Sequence, residues 1–225
     1  MFDRFKQRSY ELERLDKGEY TASEYAKWQR EMRFVHDLWG ESRAIKNSLL
    51  PEMLEMKDSP SILDVGAGSG QLLQTIGGWK SESKPFLLGA EINADGATSI
   101  RERGFAAVRC DGLKLPFSDA SFDFVVCSLF LHHLTDNTLI ELLAEMKRVA
   151  RRRLIAIDLH RSPVAYFFYK YVGRLFLQQF TVEDGSLSIL RAFKPVELER
   201  FAVAAGLTEV SVRRSAAYRL VLSGK

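Results

Sequence analysis

The chain has 225 residues, 46% hydrophobic and 27% charged, which suffices for one domain with a full core and is too apolar for a disordered segment. A net charge of +3 does not by itself argue for a nucleic-acid partner, and no run of 18 apolar residues could span a bilayer. Two cysteines, Cys110 and Cys127, lie in apolar strand-like runs and read as buried free thiols of a reducing compartment.

Residues 1–57 are expected to form a helical cap ahead of the first strand. The segment Met1-Phe2-Asp3-Arg4-Phe5-Lys6 mixes charges and has no apolar signal-peptide core, so a cytoplasmic location is expected. Thr21-Ala22-Ser23-Glu24 fits a capping box. Tyr25, Trp28, Met32, Val35 and Trp39 then recur at helical spacing, with Gly40 as the residue closing the helix. This stripe fits either core packing or a wall over a ligand crevice. A second helix is predicted over 41–56.

The stretch from Ser61 to Leu72 organises the chain. Ile62, Leu63 and Val65 make the short apolar run of a buried parallel strand. Gly66, Gly68 and Gly70 follow at alternate positions, and Leu72, Leu73 and Ile76 resume at helical spacing. Such a turn lets a ligand approach backbone atoms that a Cβ would shield, beside the free N–H groups of a helix start. A dinucleotide fingerprint would need its third glycine at Gln71. Asp64 would also repel a pyrophosphate, whereas it suits an ammonium. Leu63-Asp64-Val65-Gly66-Ala67-Gly68-Ser69-Gly70 resembles the first motif of class I S-adenosylmethionine (SAM) dependent methyltransferases. The resemblance implies SAM as cofactor, held along its methionine part by Asp64, Gly66, Ala67, Gly68 and Gly70.

Pro85–Glu91 reads as a second strand. Glu91 lies about 20 residues past the glycine turn, where an acid accepts from both ribose hydroxyls, and the neighbouring Ile92 joins the cofactor set. A helix over 94–103 and a third strand, Phe105–Cys110, come next. Asp111-Gly112-Leu113-Lys114-Leu115-Pro116-Phe117 resembles the family's D-A-x-x-L-P-F signature. That likeness implies Asp111 on the adenine amino group and the Gly112 N–H on a ring nitrogen. Ser121–Cys127 is a fourth strand, and Ser128 at its end is placed with the cofactor residues.

A helix runs from Asp136 to about Val149, and the basic run Lys147–Arg153 reads as its solvated cap. The fifth strand, Leu154–Ile157, ends in Asp158-Leu159-His160. Aromatic residues crowd 163–180, which reads either as a lid over an apolar acceptor or as a plain core helix. Val196–Ala205 is a last helix, and Leu207–Arg213 and Ala217–Leu222 are two last strands. The count gives an α/β fold: a seven-stranded, mostly parallel Rossmann-like sheet with helices on both faces and an N-terminal helical cap. By resemblance the last strand is antiparallel. The expected division is a cap over 1–57 and a SAM-binding domain over 58–225, with a lid insertion at about 161–190.

Enzymes that methylate base amino groups carry an Asn/Asp-Pro-Pro-aromatic run after the fourth strand; this chain has Cys127-Ser128-Leu129-Phe130. Val126 precedes Cys127 in place of the proline of pyrimidine carbon methylation. Paired glutamates for arginine methylation are missing there too. Small-molecule chemistry remains, and no nucleic-acid partner and no metal are expected. Ionising a phenol of pKa near 10 at neutral pH costs about 4 kcal/mol, which a histidine can largely bridge. An unactivated alcohol needs about 12 kcal/mol. His132-His133 resembles the Leu-His-Asp of phenol O-methyltransferases, with His132 at the base position; a structural role for it stays open, and His160 is a second candidate. The whole chain most resembles methyltransferases of the ubiquinone/menaquinone type. Its C-terminal half resembles a bacterial branch associated with polyketide-derived aromatics. O-methylation of an apolar or aromatic acceptor, in solution or at a membrane surface, is therefore expected. The alternatives are C-methylation of a quinone precursor and a non-catalytic SAM-binding protein.

Overall fold

A computed structural model describes residues 3–38, 41–79 and 84–225. Its strands are β1 (Ser61–Val65), β2 (Phe86–Glu91), β3 (Ala106–Arg109), β4 (Phe122–Ser128), β5 (Ala150–Leu159), β6 (Ser211–Ser215) and β7 (Arg219–Gly224). Among the described residues they form one sheet in the order β3-β2-β1-β4-β5-β7-β6. β7 runs antiparallel to both β5 and β6, and the remaining pairings are parallel. The chain winds outward from β1 to β3 and returns to β4 beside β1. The order thus reverses between β1 and β4, which opens a crevice beyond their C-terminal ends.

The helices are α1 (Arg14–Lys17), α2 (Ala22–Leu38), α3 (Glu41–Leu54), α4 (Gln71–Gly77), α5 (Ala94–Glu102), α6 (Asp136–Val149), α7 (Pro163–Val172), α8 (Gln179–Arg191) and α9 (Pro195–Ala204). Alternation along the strands splits the core in two. Leu63, Val65, Val125 and Cys127 pack with α6 and α9 on one face. Ile62, Phe124, Val126 and Ile155 pack with α3, α4 and α5 on the other. The apolar stripe of α6 (Leu139, Leu142, Leu143, Met146) is buried as its periodicity requires. The capping box at α2 forms: the Glu24 N–H donates to Thr21 Oγ1 at 3.2 Å and the Thr21 N–H to Glu24 Oε2 at 2.8 Å. Trp39 and Gly40 lie outside the described residues.

Four expectations need correction. The cap is helical from Ala22 onward, but residues 7–13 run as an irregular strap. Its backbone bonds are made across the fold: the Ser9 N–H donates to Leu190 O, and the buried Arg191 donates to Glu11 O. The basic run 147–153 is no solvated cap. It straddles the junction of α6 and β5, where Arg148 binds Glu145 and Asp119, Arg151 binds Asp123, and Arg153 binds Glu52. Opposed carboxylates let the strand begin four residues before the apolar run does. The last two strands start later than alternation suggests. Ala217 and Tyr218 make the turn between them at positive φ, a region normally left to glycine or asparagine, so no turn residue announced it. Finally, Cys110 is only half-buried, just past β3, while Cys127 is fully buried.

Candidate active site

The glycine turn adopts the geometry that its composition allows. Gly66, Gly68 and Gly70 have φ of 71°, 54° and 81°, in the left-handed region. At Gly66 a Cβ would lie 2.8 Å from the Phe130 ring. The turn is tied to β2 through Glu91, whose Oε2 accepts the Gly68 N–H at 2.8 Å and whose Oε1 accepts the Asn93 N–H at 2.9 Å. Asn93 caps α5, which brings Gly96 so close that a Cβ there would sit 2.8 Å from Gly68 O and from Glu91 Cγ. Sequence reasoning missed Gly96.

Asp64 ends up 2% exposed at the end of β1, and its Oδ2 has no hydrogen-bond partner among the described residues. Burial pushes its carboxyl well above the usual range, and the charges of Glu41 and Glu91 push it further. Glu41, the first residue of α3, accepts from the Ser128 hydroxyl at the end of β4. An ammonium brought against Asp64 would supply both the missing donor and the countercharge. The residues present therefore fit the methionine end of SAM.

β4 and β5 are adjacent and parallel, with Ser128 opposite Ile157. Leu129 then takes a left-handed conformation, φ 52°, which folds the chain into a single 3-10 turn, Leu131–His133. That reversal sets His132 beside Asp158, at the end of β5. His132 Nδ1 lies 2.7 Å from Asp158 Oδ1, and the His132 N–H donates to Asp158 Oδ2 at 3.2 Å. His132 is 4% exposed and Asp158 fully buried. Burial alone would raise the Asp158 carboxyl, but the His132 charge and hydrogen bond outweigh it and hold the group below its ordinary value. A carboxylate only accepts, so Nδ1 carries a proton toward Asp158, and Nε2 is the ring nitrogen that can accept when the imidazole is neutral.

Two buried arginines fasten this turn from behind. Arg8 donates to Leu134 O at 3.0 Å and to Asp136 at 2.7 Å. Arg191 donates to His132 O, to His133 O and to Asp16. Glu13 is buried in the strap, where loss of water raises its carboxyl to about 7 against the opposing charge of His133. No pattern in the sequence marks Glu13, Asp16, Arg8, Asp158 or Arg191 as belonging here.

One cavity of about 840 Å³ joins these parts, within the range that takes a small ligand. It is lined by Asp64, Gly66, Ala67, Gly68, Glu91, Ser128, His132 and His160 from the expected set, and also by Glu13, His133 and Arg219. Gly70, Ile92, Asp111 and Gly112 do not line it; Ile92 is 64% exposed, and Asp111 Oδ1 accepts the Leu113 N–H. The α2 stripe faces this space: Tyr25, Trp28, Met32 and Val35 line it. Phe180, Tyr20, Tyr25 and Trp28 stack in succession at centroid separations of 5.8, 5.2 and 5.7 Å. The 163–180 segment divides. Ala165 and Tyr169 reach the cavity, but Phe168, Tyr171 and Phe176 are exposed, so α2 supplies more of the aromatic wall than the expected lid does. His160 has no side-chain partner among the described residues. Burial first, then the charges of Arg214, Arg161 and Lys194, lower its pKa.

The family described as Methyltransferase domain matches residues 63–158. A Bos taurus protein described as "Probable tRNA methyltransferase 9B" is 32% identical over 136 residues, 56% of this chain; the chain covers only 28% of that protein's length. The demethylmenaquinone methyltransferase of Roseiflexus sp. (strain RS-1) is 29% identical over 168 residues, covering 67% of this chain and 69% of that one. The fold is shared with magnesium protoporphyrin IX methyltransferase from Synechocystis PCC 6803, solved with bound SAH. There the TM-score is 0.62, with 14% identity over 93% of this chain and 97% of that one. The matches support a SAM-dependent methyltransferase domain over residues 63–158, with S-adenosylmethionine as the cofactor that such a domain uses. Among the described residues no helix is long and apolar enough to cross a membrane.

Proposed function

We propose that this enzyme methylates an oxygen of a small phenolic, quinol-like or enolic acceptor in the cytoplasm, and that His132 removes the acceptor's proton. The observation that carries this reading is the buried His132–Asp158 pair, 2.7 Å from Nδ1 to Oδ1, in the cavity shared with the glycine turn. Asp64 would hold the ammonium of SAM, the turn from Gly66 to Gly70 its methionine backbone, and Glu91 its ribose. Asp111 and the Gly112 N–H would meet the adenine from outside the cavity described above. Bound SAM supplies an electrophilic methyl group on a sulfonium, which leaves as a neutral thioether.

The chain's own part is to position the acceptor and move one proton. The stacked Tyr25 and Trp28 of the cavity wall favour a flat aromatic body. His132 Nε2 accepts the hydroxyl proton, and Asp158 stabilises the imidazolium that results. The acceptor oxygen then bonds to the methyl carbon with the electron pair it has kept. His160 lacks a carboxylate to orient it and sits among cations, which favours His132 over it. The menaquinone-type relative supports an acceptor of quinol size.

The test is a panel of phenols, quinols and bulk tRNA with radiolabelled SAM, run on wild type and His132→Ala. Transfer to phenols that falls about 10²–10⁴-fold in the variant is expected. Label entering tRNA and no phenol would overturn the acceptor class. Full activity in His132→Ala would overturn the role of His132.

A further inference from the structure

The strap and the turn after β4 bring together residues that no motif connects. A ring nitrogen of His132, a ring nitrogen of His133 and a carboxylate oxygen of Glu13 all lie within 4.8 Å of one another. Each is held from behind. Asp158 takes His132 Nδ1 at 2.7 Å, Asp16 lies 3.3 Å from His133 Nδ1, and the Ser188 hydroxyl donates to Glu13 Oε1 at 2.8 Å. Both Nδ1 atoms are thus committed to carboxylates, so Nε2 is the nitrogen each ring has left, and Glu13 adds a carboxylate. Carboxylate-backed imidazoles are how proteins fix histidine ligands, because the acid sets the tautomer and raises the basicity of the far nitrogen. Arg8 and Arg191 further hold the turn through the His132 and His133 carbonyls.

We propose that Glu13, His132 and His133 form a binding site for a late first-row divalent ion such as Zn²⁺, and that a loaded site withdraws His132 from proton transfer. This departs from the sequence expectation of no metal. Two imidazoles and one carboxylate suit zinc, cobalt or nickel; Mg²⁺ and Ca²⁺ prefer all-oxygen sites. Zinc bonds of about 2.0–2.1 Å at tetrahedral angles place ligand atoms about 3.3 Å apart, so binding draws the three side chains together. Three protein ligands leave a coordination position free. All three residues line the cavity, so that position is open to an acceptor oxygen or water. The inhibitory half of the proposal rests on the reading of His132 as proton acceptor; the binding half does not.

The test uses full-length protein stripped with a chelator and titrated with Co²⁺, whose visible d–d absorption reports its ligand field. One cobalt per chain is expected, displaced by Zn²⁺ and not by Mg²⁺. Affinity should fall about 100-fold or more in Glu13→Gln and in His133→Ala, and about tenfold in Asp16→Asn, which removes only a supporting carboxylate. SAM binding by calorimetry should be unchanged in all three, which controls for folding. A silent titration of wild type overturns the site, as does equal cobalt affinity in Glu13→Gln and His133→Ala. In the phenol assay Zn²⁺ should slow transfer and a chelator should restore it. Faster transfer with Zn²⁺, the cobalt band persisting, would overturn the proton-acceptor reading and leave the site in place.

Discussion

Asp158 never meets the acceptor in the proposed mechanism, yet replacing it should cost almost as much as replacing His132. Three donors reach its carboxylate: His132 Nδ1 at 2.7 Å, the His132 N–H at 3.2 Å and the Leu159 N–H at 2.6 Å. Asp158→Asn keeps the volume and an acceptor oxygen but adds an N–H₂ donor. Nδ1 can then accept, the ring proton moves to Nε2, and the base loses its lone pair. The charge-assisted bond, about 1.5–3 kcal/mol, also becomes a neutral one of about 0.5–1.5. Together these should lower kcat by about 10²–10⁴, or about 3–5 kcal/mol of barrier. The measurement is single-turnover transfer from radiolabelled SAM across phenols of decreasing pKa, with the Kd for SAM as a control. The loss should shrink as acceptors become acidic, because these arrive ionised, and the SAM Kd should hold. An equal loss for every acceptor would reduce the pair to a positioning role, and an undiminished rate in Asp158→Asn would refute the reasoning.

Three further outcomes follow from the geometry. Glu91→Ala should weaken SAM by about ten- to a hundredfold, since the carboxylate also ties Gly68 and Asn93 in place; Glu91→Gln should recover part of this by calorimetry. Gly96→Ala places a Cβ 2.8 Å from Gly68 O and should lower SAM affinity while leaving the circular dichroism of the fold intact; wild-type affinity would show that α5 can yield there. Burial works to raise the Asp123 carboxyl, but the Ser61 N–H and hydroxyl and Arg151 overcome it and hold it below its ordinary value. Between its folded and unfolded pKa the unfolded chain binds more protons. The group's stabilisation is therefore complete above about pH 4 and is lost as pH falls through the folded value. Asp123→Asn should lower urea midpoints at pH 7 and flatten their acid decline below pH 4.

Much of the fold was legible because its determinants are local. The strand–turn–helix at 62–76 is written in adjacent apolar residues and alternate glycines, and the start of α2 in a capping box four residues long. The antiparallel last strand and the role expected of Asp111 came from resemblance to a family, whereas Glu91 was read from its spacing after the glycine turn. Where local signals fell silent, boundaries slipped. Ala217 and Tyr218 turn a hairpin without a turn residue, and Arg151 and Arg153 enter β5 because Asp123 and Glu52 wait opposite them. The surroundings of His132 were decided only by tertiary structure. His132 and Asp158 are 26 residues apart and meet because β4 and β5 are neighbours in the sheet. Arg8 reaches Asp136 across 128 residues, and the same strap carries Glu13 and Asp16 to the two histidines. Periodicity tells which face of a helix is apolar but not what that face covers, so the α2 stripe could read as core and still wall a cavity. Composition marked residues 163–180 as aromatic; only packing decided that Tyr169 turns inward while Phe168 and Phe176 meet solvent.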